Sequence, residues 1–257
     1  MSIVTLTTEW INDDFYAGAV KGAILSKCPE ANIVVVTNQI PQNNIAFAAF
    51  ILKNAYSYYP KGTIHLIGVK SDASSSTPHI VVLNNGHYFI GADNGILGLM
   101  FPENVEKIIG IEPGEHITTF PELTVFADIA SYIMKGGDVD QLGEPRLSLN
   151  SKTSIMATIE SSVITGSVIY IDSYNNAITN ISKDLFEQVG KGKAFEVQLK
   201  NSFTKVTKIN QSYSETVDGE ILVLFNSLNL LEIALKNGNA SEMLSLEINS
   251  HIRIKFK

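Results

Sequence analysis

Three short apolar runs separated by two helical stretches open this chain, and that order restricts the fold more than any other feature. Residues 3–7 (Ile-Val-Thr-Leu-Thr), 33–37 (Ile-Val-Val-Val-Thr) and 64–69 (Ile-His-Leu-Ile-Gly-Val) read as strands. Residues 15–26 and 45–58 read as helices between them. Strand–helix–strand–helix–strand implies right-handed crossovers and an α/β layer. The β-branched run 33–37 has the pattern of a buried parallel strand. Asp13 or Asp14 is placed to cap the first helix, and the segment ending at Asn44 to cap the second. In such sheets ligands collect at the carboxyl ends of strands, here residues 7–9, 38–39 and 70–77.

Asn84-Asn85-Gly86 joins two further strands, 79–83 and 87–91, as a hairpin. Residues 116–120 lead to a helix at about 125–135, closed by Gly136-Gly137. Beyond a boundary near 150–152 the pattern changes. Strand-like runs at 154–160, 166–172, 195–199, 203–205, 221–225 and 251–256 suggest a small antiparallel barrel or sandwich. Residues 230–236 and 240–244 read as helical turns within it.

Composition narrows the function. The 257 residues are 45% hydrophobic and 18% charged, enough for a full core and too apolar for disorder. Net charge is -7, with no Lys/Arg run, so nucleic acid is an unsuited partner. Cys28 is the single cysteine, which excludes an internal disulfide and a cysteine metal site. The five histidines lack metal-ligand spacing, and His65 and His87 lie within strand patterns as structural residues. No phosphate loop, no Gly-x-Gly-x-x-Gly after the first strand and no Gly-x-Ser-x-Gly elbow occurs. With no signal-peptide pattern and no membrane-length apolar run, a soluble cytoplasmic protein is expected.

Residues 171–181, Ile-Asp-Ser-Tyr-Asn-Asn-Ala-Ile-Thr-Asn-Ile, interrupt the apolar run 166–171 with a carboxylate, an aromatic ring and amides. A hairpin turn with one surface tyrosine accounts for this. So does a site for a polyhydroxylated ring bearing a flat heterocycle. A carboxylate accepts from vicinal hydroxyls, an amide donates and accepts, and an aromatic face stacks on a base.

The motifs together resemble the S-adenosylmethionine (SAM) hydroxide adenosyltransferase family, which includes the fluorinase and chlorinase. The resemblance runs over nearly the whole chain. It is carried by Thr8-Glu-Trp-Ile-Asn-Asp-Asp-Phe-Tyr-Ala-Gly-Ala-Val-Lys-Gly22, Ile40-Pro41, Tyr59-Pro-Lys-Gly-Thr63, Ala92-Asp-Asn-Gly95, the segment 171–181, Gly219-Glu220, Asn226-Ser-Leu-Asn-Leu-Leu-Glu-Ile-Ala234 and Asn237-Gly-Asn-Ala240. It implies an α/β N-terminal domain (1–150, mostly parallel sheet with flanking helices) and a smaller all-β C-terminal barrel domain (151–257). It also implies a homotrimer, with each site between one subunit's N-terminal domain and its neighbour's C-terminal domain. It further implies cleavage of SAM at the 5′ carbon by water or hydroxide to adenosine and methionine, with no cofactor and no metal. By position, Glu9 falls on a family Asp that holds the ribose hydroxyls, one methylene longer. Asp172, Tyr174 and Asn176 fall on residues around the adenosine, Tyr213 near an aromatic that stacks on adenine, and Phe120 on a wall position. Ser227 matches a Ser at the methionine end, and Glu232 follows in that segment.

The family's water-orienting Asp, Arg and His do not carry over. Where its hydrolases have Val-Asp-Pro-Gly-Val-Gly and then Arg, this chain has Val69-Lys-Ser-Asp-Ala-Ser74, with Thr77-Pro78 near the arginine position. Where they have Phe-His-Gly-Arg-Asp, it has Phe120-Pro-Glu-Leu-Thr124. Asp72 and His79 are candidate replacements. Lys70 opposes a cationic sulfonium unless Asp72 or Glu9 screens it. Two functions follow: an enzyme with a rearranged water site, or a degenerate protein that binds SAM or adenosine without turnover. A relict pocket is the third expectation.

Overall fold

The computed structural model describes residues 2–11, 14–103, 105–111, 118–199 and 205–257. The chain divides into two compact units, Met1–Ser154 and Ile155–Lys257.

The first unit is built on a mixed sheet. Its strands are β1 (Ile3–Thr8), β2 (Asn32–Thr37), β3 (Ile64–Gly68), β4 (His79–Asn84), β5 (His87–Ala92), β6 (Lys107–Ile111) and β7 (Gly143–Pro145), in the order β2-β1-β3-β5-β4-β6-β7. The β1–β2, β1–β3 and β3–β5 pairs are parallel. The β4–β5, β4–β6 and β6–β7 pairs are antiparallel. The predicted hairpin turns on Asn85 (φ 53°) and Gly86 (φ 77°), both left-handed as a two-residue turn of that twist requires.

Strand alternation sends side chains to two cores. Leu66, Val81 and Ile90 pack with Val20 and Ile24 of α1 (Tyr16–Lys27) and Ala130 of α4 (Ala127–Met134). Ile67, Ile80, Val82 and Phe89 pack on the other side with Ala48 and Leu52 of α2 (Ile45–Ala55) and Leu97 of α3 (Ile96–Met100). Asn44 caps α2 by accepting from the Phe47 N–H at 3.0 Å. Asp14 accepts from Phe15 and does not cap α1, and Asp13 lies outside the described residues, as do His116 and Phe203. The run 33–37 is an edge strand, half-buried rather than buried. β-branched side chains suit a ladder on either kind of strand, so the pattern does not separate them. Before α4 the chain makes a five-residue π turn, Glu122–Phe126.

The second unit is an antiparallel sheet curled into a half-barrel around a main core, with Leu222, Leu224 and Ala234 forming a small separate cluster. Its strands are β8 (Thr158–Glu160), β9 (Val163–Ile171), β10 (Ala177–Ser182), β11 (Phe195–Leu199), β12 (Ile221–Phe225), β13 (Leu230–Leu235) and β14 (His251–Phe256). They run β11-β14-β9-β10-β13-β12, with β8 on β9. Two helices accompany them, α5 (Lys183–Gly190), capped by Ser182, and α6 (Ala240–Met243). The helix expected over 230–236 is instead β13. Leu-Leu-Glu-Ile-Ala-Leu favours helix locally, but the segment pairs with β10 and β12 and is buried on both faces, and tertiary pairing wins. No helix among the described residues is long and apolar enough to cross a membrane.

His65 is fully buried in β3, as its strand pattern predicted. Its Nδ1 bonds the Thr5 hydroxyl at 2.7 Å, its Nε2 faces His87 Nδ1 at 3.2 Å, and its ring stacks on Phe89 at 4.9 Å. Burial, then the neighbouring His87, lowers its pKa to about 3. The folded protein therefore refuses a proton that the unfolded chain accepts at about 6.5. The contribution of His65 to stability is full above pH 6.5 and is lost as pH falls toward 3, by up to about 1.4 kcal/mol per pH unit. Urea titrations between pH 7 and 5 should resolve that slope, and His65→Asn should reduce it. An equal slope in the variant would assign the acid sensitivity to other groups.

Candidate functional site

A cleft of about 540 Å³ opens where β1, β2 and β3 end. Glu9, the first residue after β1, organises it. Its Oε1 accepts the Lys70 N–H at 2.9 Å, and its Oε2 accepts the Asn43 N–H. One carboxylate thus ties the segments following β2 and β3 to β1. Lys70 has left-handed backbone (φ 46°), and Asn94 Nδ2 donates to both the Val69 and Lys70 carbonyls at 2.9 Å. The exit of β3 is therefore fixed from both sides.

Trp10, Tyr16 and Phe120 form one wall. Their rings meet edge-on or tilted at 5.0–6.1 Å. Opposite in character is a side chain on the π turn. Glu122 is only 4% exposed yet lines the cleft, and the Ser71 hydroxyl donates to its Oε1 at 2.6 Å. Burial raises the Glu122 pKa, against the Ser71 hydrogen bond that lowers it, and the charges of Asp72 and Glu9 raise it further. Gly68 makes room for this carboxyl: a Cβ there would stand 2.9 Å from Oε1 and 3.1 Å from Trp10 Cζ2. Glu9, Asp14, Asp72 and Glu122 oppose one ammonium, Lys70, so the lining among the described residues is acidic and favours a cation. His79 stands behind the cleft. Its Nε2 donates to the Ser71 carbonyl at 2.8 Å, its ring packs edge-on against Phe126, and burial lowers its pKa.

In the second unit, the turn between β9 and β10 is built on Asp172. Its Oδ1 accepts the N–H groups of Tyr174 and Asn176, both at 2.9 Å, and its Oδ2 accepts Asn176 Nδ2 at 3.2 Å. Tyr174 projects into solvent. Glu232 of β13, 2% exposed, accepts from the Tyr213 hydroxyl at 2.5 Å and from Asn226 Nδ2 at 3.1 Å. The Tyr213 hydroxyl is pushed well above its ordinary pKa by burial, by its bond to Glu232, and by the charges of Glu232 and Asp172. Asn226 Oδ1 accepts the N–H groups of Leu228 and Leu230, which holds Ser227 exposed on that turn.

Within the first unit, then, Glu9, Asp72 and Phe120 share a cleft that His79 only supports. Within the second, Asp172, Tyr174 and Asn176 share a turn, with Tyr213 and Glu232 joined near it and Ser227 on the next turn. Sequence reasoning missed Glu122, Ser71, Trp10 and Tyr16 as cleft residues. An acidic residue in the first turn of a helix is ordinary, so Glu122 carries no local mark. Among the described residues no group of His, Cys, Asp or Glu is arranged to hold a metal ion.

The model of the SAM hydroxide adenosyltransferase N-terminal domain matches residues 4–143, and that of its C-terminal domain residues 166–253. A protein of Methanocaldococcus jannaschii named (R)-S-adenosyl-L-methionine hydrolase is 28% identical, over 99% of this chain and 96% of its own. A Thermus thermophilus protein of the same name is 24% identical over 94% and 95%. The crystal structure of an uncharacterized conserved protein from Thermotoga maritima superposes with a TM-score of 0.87 at 26% identity, covering 99% of both chains.

The turn at Asp172 makes a stability prediction. Asp172→Ala strips three donors of their acceptor and should cost about 1–3 kcal/mol. Asp172→Asn keeps Oδ1 and should cost less. Denaturant unfolding of both variants checks this; equal losses would attribute the turn's stability to the charge rather than to the acceptor geometry.

Proposed function

The chain belongs to the SAM hydroxide adenosyltransferase family, and on that premise we propose that it cleaves SAM at the 5′ carbon with water or hydroxide, yielding adenosine and methionine. The observation that carries this is the match of both halves of the chain to the two domains of that family. The acidic, aromatic-walled cleft supports it. The nucleophile's oxygen bonds to C5′, the C5′–S bond breaks, its electron pair stays on the methionine sulfur, and, where water is the nucleophile, one proton is released. A sulfonium is a good leaving group, so the protein has mainly to align and partly desolvate the nucleophile.

Four carboxylates against Lys70 offset the repulsion that a lysine alone would exert on the sulfonium. The aromatic wall gives a cation or a base a face to lie on. Glu9 has given two acceptor positions to backbone N–H groups and keeps two for ribose hydroxyls. Adenosine recognition is assigned to Glu9, Phe120, Asp172, Tyr174, Asn176 and Tyr213, and the methionine end to Ser227 and Glu232. The same proposal takes the assembly as a homotrimer in the cytoplasm, each site drawing on the N-terminal unit of one subunit and the C-terminal unit of the next. The family resemblance supports the trimer and its shared sites.

Turnover in ¹⁸O-water tests the reaction. Adenosine labelled at its 5′ oxygen should appear in equal amount with unlabelled methionine. The relatives' name specifies the R epimer, so that epimer of SAM should be consumed faster than the other. Tyr213→Ala should raise KM about 10- to 100-fold, the worth of a lost stacking face. Bound SAM that yields no adenosine would favour the binding-only alternative.

A further inference from the structure

We infer that Glu122, held by Ser71, is the catalytic base that orients the attacking water and accepts its proton. The inference rests on the reading of the site as one for SAM hydrolysis.

Three independent features of the cleft lead to it. First, on the family resemblance, Glu122 stands in the segment where the pattern has His-Gly-Arg, and this chain has Pro121-Glu122-Leu123 there. The segment that loses a water-orienting histidine gains a carboxyl one residue later. Second, that carboxyl is almost wholly buried and still reaches the cleft. Among the described residues lining the cleft, it is the one side chain that combines those properties with proton chemistry. Ser71 and its own backbone N–H bond to it, leaving acceptor positions for a water. Third, the surroundings are shaped for it. Gly68 leaves the space its Oε1 occupies, and His79 fixes the Ser71 carbonyl, so the hydroxyl that aims Glu122 is itself aimed.

The chemistry balances. As the water oxygen bonds to C5′, one O–H bond breaks and its proton passes to the Glu122 carboxylate. The C5′–S pair stays on sulfur, and the carboxyl later returns the proton to solvent. Burial moves this carboxyl upward from the usual range, toward the pH at which a general base works best. The groups facing the site are Glu9 from the end of β1, Asp14 before α1, and Lys70 and Asp72 after β3. His79 on β4 reaches Ser71 instead. α1, packed on the π turn, carries Lys21, and Lys27 paired with Asp128. A bound sulfonium opposes the upward pull of burial and of the neighbouring carboxylates, so substrate itself favours the ionised base.

Single-turnover rates, with protein in excess over SAM, would be measured from pH 5 to 9 for wild type, Glu122→Gln, Glu122→Asp and Ser71→Ala. Calorimetry of adenosine binding would run alongside. Wild type should lose rate on the acid side. Glu122→Gln should be slower by about 10²–10³-fold and lose that acid limb, with adenosine affinity within about threefold of wild type. Glu122→Asp should recover part of the rate. Ser71→Ala should keep the limb and move it to higher pH, because the bond it removes lowers the Glu122 pKa. A merely structural role for Glu122 moves neither limb. If wild type turns over and Glu122→Gln matches it in rate and pH profile, this inference is overturned and the hydrolase reading stands. If Glu122→Gln fails to bind adenosine, Ser71→Ala decides, and an unmoved limb overturns the inference. Wild type that releases no adenosine at any pH overturns both.

Discussion

The carboxylate of Glu9 is the interaction on which the cleft depends. Three parallel strands end side by side, and nothing in a sheet ladder dictates where the segments beyond them go. Glu9 settles this with two charge-assisted hydrogen bonds, one to the backbone after β2 and one to the backbone after β3. Both donors are backbone N–H groups, so the geometry is independent of which side chains stand at Asn43 and Lys70. A shorter aspartate at position 9 would reach less far toward both. Lys70 accepts left-handed backbone as part of the same arrangement.

The cost of this arrangement falls on Glu122. Taking a carboxyl out of water is unfavourable unless its oxygens find partners. Here the partners are few: the Ser71 hydroxyl and the residue's own backbone N–H. Asp72 and Glu9 add repulsion rather than relief. A segment selected for stability alone would carry an apolar residue at this position, because replacing a poorly compensated buried charge by a packed hydrophobe is commonly neutral or stabilising. A carboxyl kept in a cleft with its titration displaced is what a working group requires. In the second unit, Glu232 is equally buried but accepts from both Tyr213 and Asn226, so its charge is far better compensated.

Much of the frame was legible because it is local. Residues 3–7, 33–37 and 64–69 alternate with helix-forming stretches, and Asn85-Gly86 supplies the two left-handed residues of its hairpin. The turn within 171–181 was legible for the same reason, since Asp172 bonds residues two and four further along the chain. What local signals missed is what depends on distant pairing. Residues 230–235 favour helix until β10 and β12 flank them. β6 is five residues with a glycine, and only its place between β4 and β7 makes it a strand. Glu122 reaches the cleft because residue 68 lacks a side chain and residue 71 supplies a hydroxyl, and neither condition is visible from position 122.

Charge movement during the proposed reaction explains why the position of each carboxylate matters more than their number. Before reaction the positive charge is on sulfur. As water attacks, that charge drains from sulfur and builds on the incoming oxygen. A carboxylate near the sulfur therefore stabilises bound substrate more than the transition state, and tightens binding without accelerating the chemistry. A carboxylate beside the water does the opposite, because its partner's charge grows along the reaction coordinate. Lys70, among the acidic residues of the cleft, limits the first effect. Glu122, buried and short of donors, is suited to the second, since low dielectric magnifies an interaction that forms only as the proton begins to move. Once the sulfonium has become a neutral thioether, the acidic lining no longer attracts that sulfur by charge, so the same residues that gather the substrate favour release of the product.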